Sequence, residues 1–317
     1  MDRRLEPLRT YGLVPAIKID DAKKAIELGK ALEDGGVPVA EVTFRTPAAA
    51  ECIRALKDSS PGIVLGAGTV TNVERAKQAI AAGASYIVTP GMNPSVIDYC
   101  LERDVPIIPG INGPAGIERA LEKGLEVLKF FPAELSGGIP MIDALSGPFP
   151  EATFLPTGGI DPQNMAAYAR HPRVFAIGGT WMAKPAWIEE GRWDEIRKAC
   201  VESVRVLHGF ALHHLGVNFK DRDEAAGPLA FLESIGFQGK EGTGSIFSGP
   251  FELMKSIGRG EKGHIALKAN NVDRAVAFFS RMGIGVIEET VSRDAAGIKV
   301  AYLDKDLGGF AVHLTRG

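Results

Sequence analysis

One unit recurs along roughly the first two thirds of this chain. A short apolar run rich in β-branched residues ends in Gly, Pro or Thr, and an alanine-rich stretch with helical spacing follows it. The runs fall at 13–19, 39–45, 63–69, 86–90, 106–111, 126–132, 153–159 and 174–180. Strands apolar at almost every position need burial on both faces, which points to parallel pairing under a cover of helices. Eight such units before about residue 208 predict an α/β domain built as a (β/α)8 TIM barrel. A doubly wound open sheet uses the same alternation and stands as the alternative. Either way, ligand chemistry belongs at the carboxyl ends of the strands.

The punctuation agrees. Helical stretches at 21–34, 72–82, 94–103, 114–123 and 162–170 follow the runs. The pairs Asn93-Pro94, Gly113-Pro114 and Asp161-Pro162 place proline in a first helical turn, where a missing N–H costs nothing. Gly35, Gly36, Gly83 and Gly124 follow helices and suit a left-handed cap. A helix over 193–209 closes the region, so the first domain is expected at 1–208 and a second at 209–317.

Composition narrows the partners. Hydrophobic residues make up 45% of 317, and the net charge of −3 provides no global field for nucleic acid or an anionic membrane. The amino-terminal residues lack the apolar core of a signal peptide, and no apolar run approaches a membrane span. Cys52, Cys100 and Cys200 are far apart and form no CxxC, so buried thiols are expected rather than ligands or a disulfide. A soluble cytoplasmic protein fits this picture.

Polar residues gather at the expected strand ends. Glu41 and Arg45 close the second run, Thr69 the third, Thr89-Pro90 the fourth, Thr157-Gly158-Gly159 the seventh and Gly178-Gly179-Thr180 the eighth. Lys129 stands inside the sixth, between apolar neighbours. An ammonium there either snorkels to solvent or is held among apolar groups, where the neutral amine is favoured and is a nucleophile toward carbonyls. Schiff-base chemistry needs a second group to move protons, and Glu41 is the candidate. The competing reading is a structural Glu–Lys ion pair. Arg45 offers a bidentate fork for a carboxylate, or simply faces solvent. Thr69 offers a hydroxyl, or caps the next helix. Two glycine pairs with threonines at the last two strand ends are the usual place for a phosphate cradle in a barrel.

The stretches Gly36-Val-Pro-Val-Ala-Glu41-Val-Thr-Phe-Arg45 and Gly124-Leu-Glu-Val-Leu-Lys129-Phe-Phe-Pro-Ala-Glu-Leu-Ser-Gly137 resemble the two signature motifs of the class I KDPG/KHG aldolases, over residues 5–205. These act on 2-dehydro-3-deoxy-6-phosphogluconate and 4-hydroxy-2-oxoglutarate. The resemblance implies Lys129 as Schiff-base lysine and Glu41 as general acid/base. It implies Arg45 and Thr69 on the pyruvate carboxylate, and Pro90 and Phe131 along the pocket. Thr157, Gly158, Gly159, Gly179 and Thr180 would take the substrate phosphate. It also implies a homotrimer, a 2-oxo acid substrate yielding pyruvate, and an aldol step without cofactor or metal. Two departures stand out. Thr180 replaces the family's common serine, and Ile111-Asn112-Gly113-Pro114 replaces its common Thr-Pro.

Beyond residue 209 the pattern changes to a weak internal repeat. His214-Leu-Gly-Val-Asn-Phe-Lys-Asp parallels His264-Ile-Ala-Leu-Lys-Ala-Asn-Asn, and Phe251-Glu-Leu-Met and Phe310-Ala-Val-His close the two halves. A smaller α+β domain of two β-α-β-β-β modules is expected. Its layout is similar to the glyoxalase-like, vicinal-oxygen-chelate fold. By that resemblance His214, Glu252, His264 and His313 are the candidate metal ligands, with Ala311 opposite Glu252 in the second module. A degenerate module used for contacts or ligand sensing is the competing expectation. For the whole chain, the alternatives to an aldolase are a phosphosugar isomerase or epimerase barrel and a ligand-sensing or metal-binding protein acting through the second domain.

Overall fold

In the computed structural model, which describes residues 2–316, the chain divides between Leu207 and His208 into two units. The first carries β1 (Leu13–Ile17), β2 (Val39–Thr43), β3 (Val64–Gly68), β4 (Tyr86–Val88), β5 (Ile107–Ile108), β6 (Gly110–Ile111), β7 (Val127–Phe130), β8 (Thr153–Pro156) and β9 (Ile177–Gly179). Parallel pairing runs β5-β4-β3-β2-β1-β9 in one sheet and β6-β7-β8 in another. Parallel bridges Phe154–Val174 and Thr157–Gly178 tie β8 and its end to the segment around β9. The result is a curled parallel sheet in a mixed α/β unit. Every residue of β1, β2, β4 and β7 is buried, as continuous apolar runs require.

Several local expectations are corrected. The run at 106–111 is two strands, because Pro109 has no N–H to give a ladder; its carbonyl instead accepts from Lys129 N at 2.9 Å. Asn72, not Thr69, caps the helix Val73–Ala82, accepting from Arg75 N at 2.9 Å. Pro94 and Pro114 open their helices, but Pro162 does not. There Asp161 and Asn164 bond each other's turn, and the helix starts at Met165. Gly36, Gly83 and Gly124 are left-handed, whereas Gly35 has φ −80°. Gly35 is needed for space: a Cβ would lie 2.5 Å from Cys200 Cβ. All three cysteines are free and buried. No helix among the described residues is long and apolar enough to cross a membrane.

The second unit contains β10 (Ala211–Val217), β11 (Gly239–Glu241), β12 (Ser245–Ser248), β13 (Phe251–Met254), β14 (Gly263–Ala269), β15 (Ser292–Asp294), β16 (Gly297–Leu307) and β17 (Phe310–Arg316). Helices Arg222–Ser234 and Val272–Arg281 follow β10 and β14, so each half runs strand, helix, three strands. One sheet results, in the order β11-β12-β13-β10-β14-β17-β16-β15. Antiparallel β10 and β14 join the halves at its centre.

His208 begins this unit with its ring stacked on Phe210 at 5.1 Å and packed on Phe278 at 4.5 Å. Burial, aided by Arg274 and Arg281, pushes its pKa down to about 3. The unfolded chain takes up a proton near the ordinary histidine value, and the folded chain does so only near the lowered one. Stability is therefore complete above about pH 6.5 and falls as pH drops toward the lowered value. The melting transition of this unit is expected to fall between about pH 7 and pH 5, and His208→Phe to reduce that fall. A variant with the full pH slope would exclude His208 as its source.

Candidate active site

The carboxyl ends of the first unit's strands enclose a cavity of about 330 Å³. Lys129 and Glu41 lie at its floor. β7 points Lys129 inward and β2 points Glu41 toward it, leaving Lys129 Nζ 3.2 Å from Glu41 Oε1. Their side chains are 8% and 0% exposed. Lys129 therefore does not snorkel. Its amine also stands 5.5 Å from the Phe131 ring centroid. The carboxylate fits because β3 offers glycine beside it: a Cβ on Gly68 would lie 2.0 Å from Glu41 Oε1.

The wall is made of the strand ends. Arg45, Thr69, Pro90, Phe131, Thr157, Gly158, Gly159, Gly179 and Thr180 all line the same cavity. Thr69 has φ 56°, an uncommon conformation for a residue with a branched Cβ. Such strain gathers at functional sites, where surrounding structure enforces it. Beyond β8, Gly158 and Gly159 take φ 101° and 81°. The carbonyls of Thr157, Gly158 and Gly159 accept bonds from Ala133 N, Glu134 N and Asn164 Nδ2, fixing the turn from behind. Gly178 has to be glycine, since a Cβ would lie 2.3 Å from Thr157 Oγ1. Ala16, Thr43 and Ile160 complete the lining and were not anticipated. Ala16 and Thr43 sit in ordinary strand sequence, and Thr43 is marked only by standing two positions from Glu41, on the same face of β2.

Comparisons with known proteins bear on this cavity. A family model described as KDPG and KHG aldolase matches residues 5–199. The chain belongs to the KDPG and KHG aldolase family. It is 45% identical over 202 residues to a 2-dehydro-3-deoxy-phosphogluconate aldolase of Treponema pallidum, covering 64% of this chain and 96% of that one. It is 38% identical over 197 residues to the KHG/KDPG aldolase of Escherichia coli K12, covering 62% and 92%. Among solved structures it is similar to a KDPG aldolase of Legionella pneumophila with pyruvate captured as a covalent carbinolamine. That match has 34% identity and a TM-score of 0.61, over 63% of this chain and 97% of that one. The aldolase is accordingly a carbon–carbon lyase.

The second unit of this aldolase, outside the matched span, holds a cluster of its own. His214 on β10, Glu252 on β13, His264 on β14 and His313 on β17 converge from four strands. His214 Nε2 and His264 Nε2 are 3.0 Å apart, and Glu252 Oε2 lies 3.1 and 3.0 Å from them. One ring nitrogen from each histidine falls within 4.8 Å of the others. Ser245 Oγ donates to the other Glu252 oxygen at 2.6 Å. His313 Nδ1 faces the Leu314 carbonyl at 3.4 Å, leaving Nε2 for a ligand. The close approach of β10 to His264 depends on Gly216, whose Cβ would lie 2.1 Å from the ring. Ala311 is opposite His264 in register, and the inward residue of the last strand is His313, two positions on.

Proposed function

We propose that the first unit is a closed (β/α)8 barrel in which Lys129 and Glu41 cleave 2-dehydro-3-deoxy-6-phosphogluconate to pyruvate and glyceraldehyde 3-phosphate. 4-Hydroxy-2-oxoglutarate, giving pyruvate and glyoxylate, is the second substrate. The observation that carries this reading is the 3.2 Å approach of the Lys129 amine to the buried Glu41 carboxylate.

The Lys129 amine adds to the C2 ketone, and the carbinolamine takes up one proton, given back at the final hydrolysis, as it loses water to an iminium. Glu41 takes the proton of the C4 hydroxyl while the C3–C4 bond breaks. The bonding electrons pass into the iminium, leaving an enamine and a free aldehyde. Glu41 returns its proton to C3, and water releases pyruvate and the amine. Arg45 and the Thr69 hydroxyl hold the carboxylate, while Pro90 and Phe131 flank the pyruvate portion. The turn Thr157-Gly158-Gly159, with Gly179 and Thr180, takes the phosphate. Nothing in an isomerase reaction calls for an amine at Lys129, which is why that alternative is set aside. A cytoplasmic homotrimer is the assembly we read from the family resemblance.

Intact mass after treatment with pyruvate and borohydride, followed by peptide mapping, tests the reading. One reduced adduct on Lys129 is expected, and its absence would sink the mechanism. Glu41→Gln should leave some of this trapping while cleavage slows by about 10²- to 10⁴-fold, the range for a lost acid–base group. Turnover at the wild-type rate would remove Glu41 from the proton path.

A second reading concerns the second unit, which we propose is a glyoxalase-like domain holding one divalent metal. The donor set fits: three imidazole nitrogens and one carboxylate suit borderline ions such as zinc, nickel or cobalt better than magnesium or calcium. The four side chains named above would be its ligands. Metal analysis of full-length protein purified without added ions or chelator is expected to find about one ion per chain. Metal-free protein that also fails to take up zinc would refute it.

A further inference from the structure

Two buried polar atoms, Glu41 Oε2 and the Tyr86 hydroxyl, have no hydrogen-bond partner among the described residues. The strand order makes them neighbours. β3 lies between β2 and β4, and Gly66 pairs with Glu41 on one side and Tyr86 on the other. A Cβ on Gly66 would lie 2.2 Å from Tyr86 Cζ, so the hydroxyl end of the ring crosses the place where a side chain at 66 would stand. Gly68 leaves the same kind of space to the Glu41 carboxylate. Both side chains thus reach over one face of β3 from opposite flanks.

Leaving a buried hydroxyl or a buried carboxylate oxygen without a partner is costly, so native interiors satisfy such groups with each other or with enclosed water. Burial, and then the Glu41 carboxylate, hold the Tyr86 phenol well above its ordinary range. It therefore keeps its proton and can donate. Lys129 occupies only the other oxygen of Glu41. For packing alone, phenylalanine would fill this site without burying a hydroxyl.

We propose that Tyr86 is a positioning residue of the aldolase, its hydroxyl holding Glu41 Oε2 through one enclosed water so that Oε1 stays aimed at the Lys129 amine. This rests on the aldolase reading given above. Its consequence falls on proton transfer and leaves imine formation alone.

Tyr86→Phe removes the hydroxyl and keeps the ring. Three quantities are measured: borohydride trapping of pyruvate on Lys129, exchange of pyruvate methyl hydrogens with deuterated solvent, and kcat and KM for cleavage. Trapping and KM are expected to stay within about twofold of wild type, while exchange and kcat fall about tenfold. In a Glu41→Gln background the same substitution should change exchange by less than about twofold, because coupled residues are not additive. Wild-type exchange in Tyr86→Phe overturns the proposal. So does an equal loss in the Glu41→Gln background, or a parallel loss of trapping and exchange, which marks a merely structural role. Absence of any adduct in the wild-type protein is a different failure, one of the aldolase reading itself.

Discussion

Lys129→Ala is expected to abolish the borohydride-trapped pyruvate adduct and to lower cleavage by a factor on the order of 10⁴ to 10⁶, the scale on which loss of a covalent nucleophile is felt. Among the described residues no other amine lines the cavity, so none of them replaces the imine. The substitution has a second effect that has to be separated from the first. It leaves Glu41 buried at 0% exposure with neither oxygen bonded directly to a described protein group. Breaking a buried ion pair from one side costs about 3–5 kcal/mol, and removing both charges together costs less. Lys129→Ala should therefore melt earlier than wild type, and Lys129→Met with Glu41→Gln should recover part of the difference without regaining the adduct. An adduct that persists in Lys129→Ala, on any residue, refutes the nucleophile assignment. An adduct lost in the single variant and restored in the stabilised double variant refutes it equally.

The second large effect is expected at His264. Its Nε2 is within 3.0 Å of both His214 Nε2 and Glu252 Oε2, which puts it at the centre of the donor set. Loss of an outer partner of a metal ligand costs roughly 10- to 100-fold in affinity. His264→Ala removes a direct ligand and should weaken zinc binding by more than that, measured by competition with a chromogenic chelator. It should also leave Glu252 near the remaining imidazoles without a shared ion. Pyruvate trapping on Lys129 serves as the internal control and is expected to be unchanged. Zinc affinity within about tenfold of wild type would remove His264 from the ligand set.

The sequence is most legible where chemistry and local pattern coincide. Lys129 stood out as a lone charge in an apolar strand, and the residues expected around it line one cavity. The strand–helix alternation, read from β-branched runs and helix caps, located the strands that carry them. What escaped depends on distance in the chain. Pro109 split an expected strand because the ladder partner that needs an N–H lies far along the sequence, on β7. Gly35 looked like a turn residue, yet its reason is Cys200, which no local window contains. The convergence of Glu252 with three histidines needs the pairing of β13 with β10 and of β14 with both β10 and β17. Module layout named His214, Glu252, His264 and His313 as candidates, with Ala311 as the counterpart of Glu252, but it carried no information on their spacing. Tyr86 read as an ordinary strand start; only the glycine across from it in β3 shows where its hydroxyl goes.

That strand has a consequence for anyone altering this enzyme. With glycine at 66 and 68, β3 contributes clearance to the interior, and its neighbours contribute the groups that react. The room is taken from β2 by Glu41 and from β4 by Tyr86. Adding even a methyl group at position 66 or 68 would displace a neighbour, so the two positions with no side chain of their own are the ones a redesign has to leave untouched.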